Sequence, residues 1–137
     1  MSETFLTGVP SNKVRAVWPQ VRPFIERALE RDGCYAPEDI VDMLEARDAQ
    51  LWVAVGGEGI AAALVTKINL YPRQKRCVLF LSAGELKAHL RHLPEVEAWA
   101  KAQGCDVVEL NGRPGWERVM PGYRRALVTL EKDLRHG

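Results

Sequence analysis

The chain has no cysteine pair at redox or zinc spacing, no long apolar run, and no excess of charge of either sign. Each absence removes a class of function. Its three cysteines, Cys34, Cys77 and Cys105, are odd in number and far apart, and no Cys-x-x-Cys occurs. That pattern disfavours a disulfide scaffold and fits a reducing, intracellular setting. No stretch comes near the roughly 20 apolar residues of a membrane span, and Met1-Ser-Glu-Thr4 carries neither a basic n-region nor an apolar leader core. The expectation is a protein with no membrane partner, active in the compartment where it is made. Nineteen basic side chains against eighteen acidic leave a net charge of +1. Nucleic-acid binders carry a strongly basic balance or stripe, so no nucleic-acid partner is expected. Internal repeats, linkers and low-complexity tracts are missing as well.

What is present is an ordinary globular composition. With 137 residues, 47% of them hydrophobic and 27% charged, the chain is expected to form one domain over 1–137. Phe5 to Val9 reads as a first edge strand ended by Pro10. Ser11 can cap a helix carrying Val14, Val17, Val21, Ile25, Ala28 and Leu29 at helical spacing. Pro19 and Pro23 fall inside that pattern, so the helix is either kinked or begins near Pro19. A second helix is predicted from Pro37-Glu38-Asp39, whose acidic residues suit a helix N-terminus. Leu51 to Val55 and Ile60 to Ile68 flank Gly56-Gly57-Glu58-Gly59, a hairpin signal. Cys77 to Leu81 is fully apolar, as a central strand would be.

Ser82-Ala-Gly-Glu85 fits a capping box for the next helix, with Ser82 bonding the Glu85 amide and the Glu85 carboxylate reaching back. That helix meets Pro94 and continues to Gly104. A strand follows over Val107 to Leu110, then the turn Gly112-Arg-Pro-Gly115, a short helix from Trp116 stopped by Pro121-Gly122, and a last strand over Leu127 to Leu130. The predicted order is β-α-α-β-β-β-α-β-α-β, an α+β (mixed-sheet α/β) class.

That order, and the strand, short helix and returning strand at its end, resembles the Gcn5-related N-acetyltransferase (GNAT) fold over nearly the whole chain. More narrowly, the chain is similar to small GNAT-like proteins of bacteriophages and prophages. The likeness is carried by Val17-Trp-Pro-Gln-Val-Arg-Pro-Phe24, Glu38-Asp-Ile40, Gln50-Leu-Trp-Val-Ala54 and Glu97-Ala-Trp-Ala-Lys-Ala-Gln-Gly-Cys105. Gly112-Arg-Pro-Gly-Trp116 and Leu130-Glu-Lys-Asp-Leu134 complete it.

The resemblance implies an acetyl-CoA site on Phe80, Leu81, Ser82, Ala83 and Gly84, where backbone amides would pair with pantetheine. The loop after that strand would hold the pyrophosphate, since free helix amides favour a phosphate. The family pattern there is Gln/Arg-x-x-Gly-x-Gly/Ala. Here Gly84 matches, the Gln/Arg is absent, and Leu86 replaces the second small residue. Glu85 would place a carboxylate close to the phosphates, where like charges repel.

Amine acylation also needs a base for the incoming amine and an acid for the leaving thiolate. The resemblance points to Glu109 as the base. The acid tyrosine of the family would fall on Glu117 or Arg118, neither suited to it, while Tyr123 reads as a packed aromatic with its hydroxyl at the surface.

Other constellations have plainer readings. Glu85, His89 and His92 share helical spacing, but no fourth ligand stands out and Lys87 to His92 reads as solvated, so no metal is expected. Gly112 to Gly115 reads as a tight turn, and Arg73-Gln-Lys-Arg76 as an exposed hairpin tip. Trp18 and Trp52 can be core or interface.

Two functions follow. One is a catalytically degenerate or weak phage-encoded module for virion assembly or host interaction, with a protein partner, in the cytoplasm of the bacterial host or incorporated into the virion. The other is an acetyl-CoA-dependent N-acyltransferase acting on a small-molecule or protein amine.

Overall fold

The computed structural model describes residues 3–30, 33–112 and 115–135. Five strands form one sheet: β1 (Phe5–Val9), β2 (Gln50–Gly56), β3 (Gly59–Leu70), β4 (Lys75–Gly84) and β5 (Val107–Leu110). They lie in sequence order, the first four antiparallel and β5 parallel to β4. A parallel pair needs a crossover, which α3 (Leu86–Ala102) supplies between β4 and β5. The remaining helices are α1 (Val14–Leu29), α2 (Pro37–Glu45) and the short α4 (Trp116–Val119).

Side-chain alternation along the strands builds a core on each sheet face. Leu51, Val53, Val65 and Leu81 face one way and meet Val14, Val21, Ile25, Ile40 and Leu44 of α1 and α2. Trp52, Leu64 and Leu79 face the other way and meet Leu93, Val96 and Met120 from the α3 and α4 side. Trp18 and Trp52 are both buried in these cores. The Trp52 ring stands edge-on to Trp99, and its indole N–H donates to Thr66 Oγ1 at 3.0 Å.

Helix α1 does not restart at Pro19; it runs through Pro19 and Pro23 from Val14. Both prolines are exposed, so water can serve the carbonyls that lose an amide partner. Ser11 does not cap it. A 3-10 turn over Ser11–Lys13 precedes the helix, and Ser11 Oγ instead accepts from Arg47 Nε at 3.2 Å. At α2 the acidic start acts as expected: the Asp39 carboxylate accepts from the Ala36 amide at 2.8 Å. Pro94 likewise sits on an exposed face of a continuous α3.

The predicted last strand is a correction. Residues 126–130 join no sheet, and among the described residues β5 pairs with β4 alone. The segment has strand-forming residues, but Leu127, Val128 and Leu130 stay exposed. Among the described residues no helix is long and apolar enough to cross a membrane.

Candidate functional site

The sheet opens into a fork between β4 and β5. The two strands pair from Arg76↔Val107 to Leu79↔Leu110, and there the ladder stops. β4 continues for five more residues, Phe80 to Gly84, with no strand beside it on that side among the described residues. At the branch point the register with β3 slips: Leu79 faces Thr66 and Leu81 faces Val65, so Phe80 is the extra residue of a β-bulge. A bulge increases local twist and bends its strand, which here turns β4 away from β5.

Ladder phase decides which amides are free. Glu85 N–H donates to Ala61 O at 3.0 Å, and in an antiparallel pair the backbone groups of alternate residues point to the partner. Ala83 and Leu81, opposite Ala63 and Val65, therefore spend theirs on β3. The amides of Ser82 and Gly84 point into the fork.

Gly84 is required by packing. Its φ is +102°, and a Cβ there would stand 2.4 Å from Ala61 O and 2.6 Å from Ala62 Cα. Only glycine lets β4 end this close to β3. The predicted capping box is a second correction. β4 extends through Gly84, so Ser82 lies inside the strand, and the residue preceding α3 is Glu85, with no side-chain cap bond. The first helical bond is His89 N–H to Glu85 O at 3.2 Å, leaving the first-turn amides uncapped.

Beneath the fork, between the sheet and α3, is a cavity of about 50 Å³. Its lining includes Ala54, Ala62, Ser82, Ala88, Leu110 and Trp116. It is about a third of the roughly 150 Å³ that admits benzene in an apolar core, a size compatible with a two-carbon group. His89 and His92 reach its wall, which corrects the solvated reading of this helical turn. His89 Nε2 lies 2.9 Å from Ala83 O, and burial pushes its pKa below the ordinary value, so the ring is held neutral. His92 is buried between Thr4 Oγ1, 2.8 Å from Nε2, and Glu95 Oε1, 2.9 Å from Nδ1. Among the described residues no three His, Cys, Asp or Glu side chains gather as a metal site.

Glu109 stands one residue before the end of β5, half-buried, 3.6 Å from the Arg76 guanidinium. Val108 and Leu110 pack on the α3 side, so alternation turns Glu109 to the opposite face. That face also carries Phe80, whose ring stands edge-on to Tyr35 at 5.1 Å and lies 4.1 Å beneath Lys67 Nζ. Sequence reasoning passed over Tyr35 and Lys67. They meet Phe80 only through the bulge, which periodicity does not reveal.

The Tyr123 hydroxyl is not free at the surface; it donates to Glu97 Oε2 at 2.7 Å. Burial, then that carboxylate, pushes its pKa well up. Glu97 is eleven residues into α3, roughly 16 Å along the axis from its start. Gly112 lies under the Trp116 indole, where a Cβ would approach Cδ1 to 2.8 Å. Arg113 and Pro114 of the predicted tight turn lie outside the described residues. Of the basic run, Arg76 is inside β4, and Lys75 Nζ donates to Gln103 O.

No family model matches the chain, and no curated protein does. Solved structures do match. An aminoglycoside acetyltransferase, meta-AAC0020, from an uncultured soil metagenomic sample superposes over 97% of both chains with a TM-score of 0.69 at 12% identity. A predicted acetyltransferase of Clostridium acetobutylicum, solved with acetyl-CoA, covers 98% of both with a TM-score of 0.68 at 11% identity. A GNAT family acetyltransferase of Staphylococcus aureus covers 98% of this chain and 100% of its own, with a TM-score of 0.65 at 13% identity.

The fold is that of the GNAT acetyltransferases. At these identities the likeness concerns the fold alone. The forked sheet, the bulge at Phe80 and the uncapped α3 are this chain's own version of it.

Proposed function

We propose that the protein is an acetyl-CoA-dependent N-acyltransferase whose acceptor is a small-molecule or protein amine. The observation that carries this reading is the pair of backbone amides, Ser82 and Gly84, left without a strand partner where β5 ends. An extended ligand with its own amides can add to such an edge as a further strand would. Pantetheine is a ligand of that kind, and the uncapped first turn of α3 suits its pyrophosphate. The apolar pocket beside Leu110 and Trp116 has room for an acetyl group. The cofactor supplies an activated thioester.

The chain's own residues supply the proton chemistry. Glu109 takes a proton from the incoming amine, directly or through a water, and Arg76, 3.6 Å away, orients its carboxylate. Phe80 and Tyr35 give the same face an aromatic wall on which a cation can rest, as Lys67 does. Two features weaken the site. Glu85 brings negative charge to the phosphate end, and the Tyr123 hydroxyl is engaged by Glu97 instead of standing free as an acid for the thiolate.

The Tyr123–Glu97 bond favours a second reading, an acyl-CoA binder without turnover. A role in phage assembly draws on the sequence resemblance, and no observation in the structure adds to it. Thiol release from acetyl-CoA, followed with a panel of aminoglycosides, polyamines and lysine peptides, separates the two. Release above the hydrolytic background, reduced at least tenfold by Glu109→Gln, supports the transferase. Binding without release for every amine supports the binder.

A further inference from the structure

On the sheet face that carries α1 and α2, the strand ladders line up three side chains in one row. Lys67 of β3 is paired with Val78 of β4, and Val78 with Glu109 of β5. Directly paired residues point to the same side, so Lys67 and Glu109 share a face. Their backbones stand two strand spacings apart, about 10 Å. Asn69 and Arg76 form another pair on that face, by alternation from Lys67 and Val78. Lys67, Asn69, Arg76 and Glu109 are all half-buried, and Phe80, where β4 loses its β5 partner, lies beside them.

Lys67 is the group in this row that nothing described so far uses. Its ammonium rests 4.1 Å from the centre of the Phe80 ring and 5.8 Å from that of Tyr35. Among the described residues it meets no carboxylate and no hydrogen-bond acceptor. The rings attract its charge but leave its three N–H donors without an oxygen partner. Arg76, by contrast, is matched by Glu109 at 3.6 Å. The charged side chains that β3, β4 and β5 place on this face are thus two cations and one anion, with Lys67 the unmatched one. A half-buried cation attracts an anion more strongly than one in open water, because the effective dielectric is lower. The aromatic wall already carries its cation, and a second one there would meet like charge.

We propose that the acceptor is an amino acid, with a single amine for Glu109 and a carboxylate that Lys67 binds. The inference rests on the transferase reading above, which puts the thioester in the fork, and it narrows the acceptor of that reading to a zwitterion. Glu109 receives the amine on the β5 side of the face, and Lys67 holds the carboxylate on the β3 side, with Asn69 two residues along the same strand. One ammonium matches the single charge of a carboxylate. Polyamines and aminoglycosides, which bring several cations and no anion, are the wrong complement for this face. Lys67 is therefore a specificity-determining residue. A site that holds a polar group ready for one partner discriminates strongly against an analogue lacking that partner.

Thiol release from acetyl-CoA is measured with glycine, β-alanine and γ-aminobutyrate, each beside its primary amide, and with spermidine. At least one acid is expected to exceed its amide in kcat/KM by about tenfold or more, the scale of one charge-assisted hydrogen bond. Lys67→Gln is expected to bring that ratio close to one, and Lys67→Arg to keep most of it. Amides or spermidine turned over as well as the acids or better, or a ratio unchanged in Lys67→Gln, overturns the inference and leaves the transferase standing. Should Lys67→Gln misfold, the wild-type preference for acid over amide decides alone. If no amine releases thiol, the transferase reading fails, and titration calorimetry of the same pairs tests the Lys67 site by itself. Binding of an acid but not of its amide, lost in Lys67→Gln, supports the site; no difference between acid and amide overturns it.

Discussion

Gly84 illustrates how one residue can satisfy a motif for a reason unrelated to the motif. In sequence it is the surviving glycine of a phosphate loop. In the structure its hydrogen takes the space beside Ala61 O, and its φ of +102° is one that other residues adopt at a cost. Gly84→Ala is therefore expected to destabilise the protein by at least about 1–3 kcal/mol, read as a drop in melting temperature without any ligand. A neutral Gly84→Ala would contradict the packing role. His89 gives a second test at this scale. Its folded-state pKa lies below the ordinary value of 6.5 because the ring is buried. Above about pH 6.5 folded and unfolded rings are both neutral. Below it the unfolded ring takes a proton first, so stability falls as the pH drops through the window between the two pKa values. His89→Gln is expected to flatten that acid limb of stability, measured by urea unfolding between about pH 5 and pH 7. An unchanged slope would show that another group titrates there.

At the scale of elements, much of the chain is legible from pattern. Apolar periodicity located α1, α2 and α3, and the Gly-rich turn between Val55 and Ile60 located the β2–β3 hairpin. Among the local readings that failed, three lost to a longer-range force. Ser82 matched a capping signature, but pairing with β3 carries β4 two residues further and takes Ser82 into the strand. Pro19 resembled a helix start, yet burial of Val14, Trp18 and Val21 on one face holds the first turn in place. Ala126 to Leu130 has the apolar residues of a strand but joins no sheet among the described residues. The fork itself yields a contrast between neighbouring residues. A proline at Ser82 removes an amide that faces the fork, whereas one at Ala83 removes an amide spent on β3. Ser82→Pro is expected to melt close to the wild type, and Ala83→Pro well below it. The reverse order would mean that the ladder phase is the opposite of the one described.

For the whole molecule, the order of elements pointed to the GNAT fold, and the match over 97% of the chain bears that out. The site was less legible. The family resemblance suggested Glu109 and Phe80 to Gly84, but the features that surround them in the structure join distant segments. The bulge at Phe80 depends on register with β3, the Phe80–Tyr35–Lys67 cluster draws on three elements, and Thr4 meets His92 across 88 residues. No short motif encodes such contacts. The central claim is that the open β4 edge and the uncapped α3 receive acetyl-CoA. A ligand that binds only the folded state must raise its stability, by about 2.7 kcal/mol at a hundred times its Kd. The decisive measurement is the melting temperature with and without millimolar acetyl-CoA, for the wild type and for Ser82→Pro. The account predicts a rise of several degrees for the wild type and little or none for the variant. No rise in the wild type, or an equal rise in both, would contradict it.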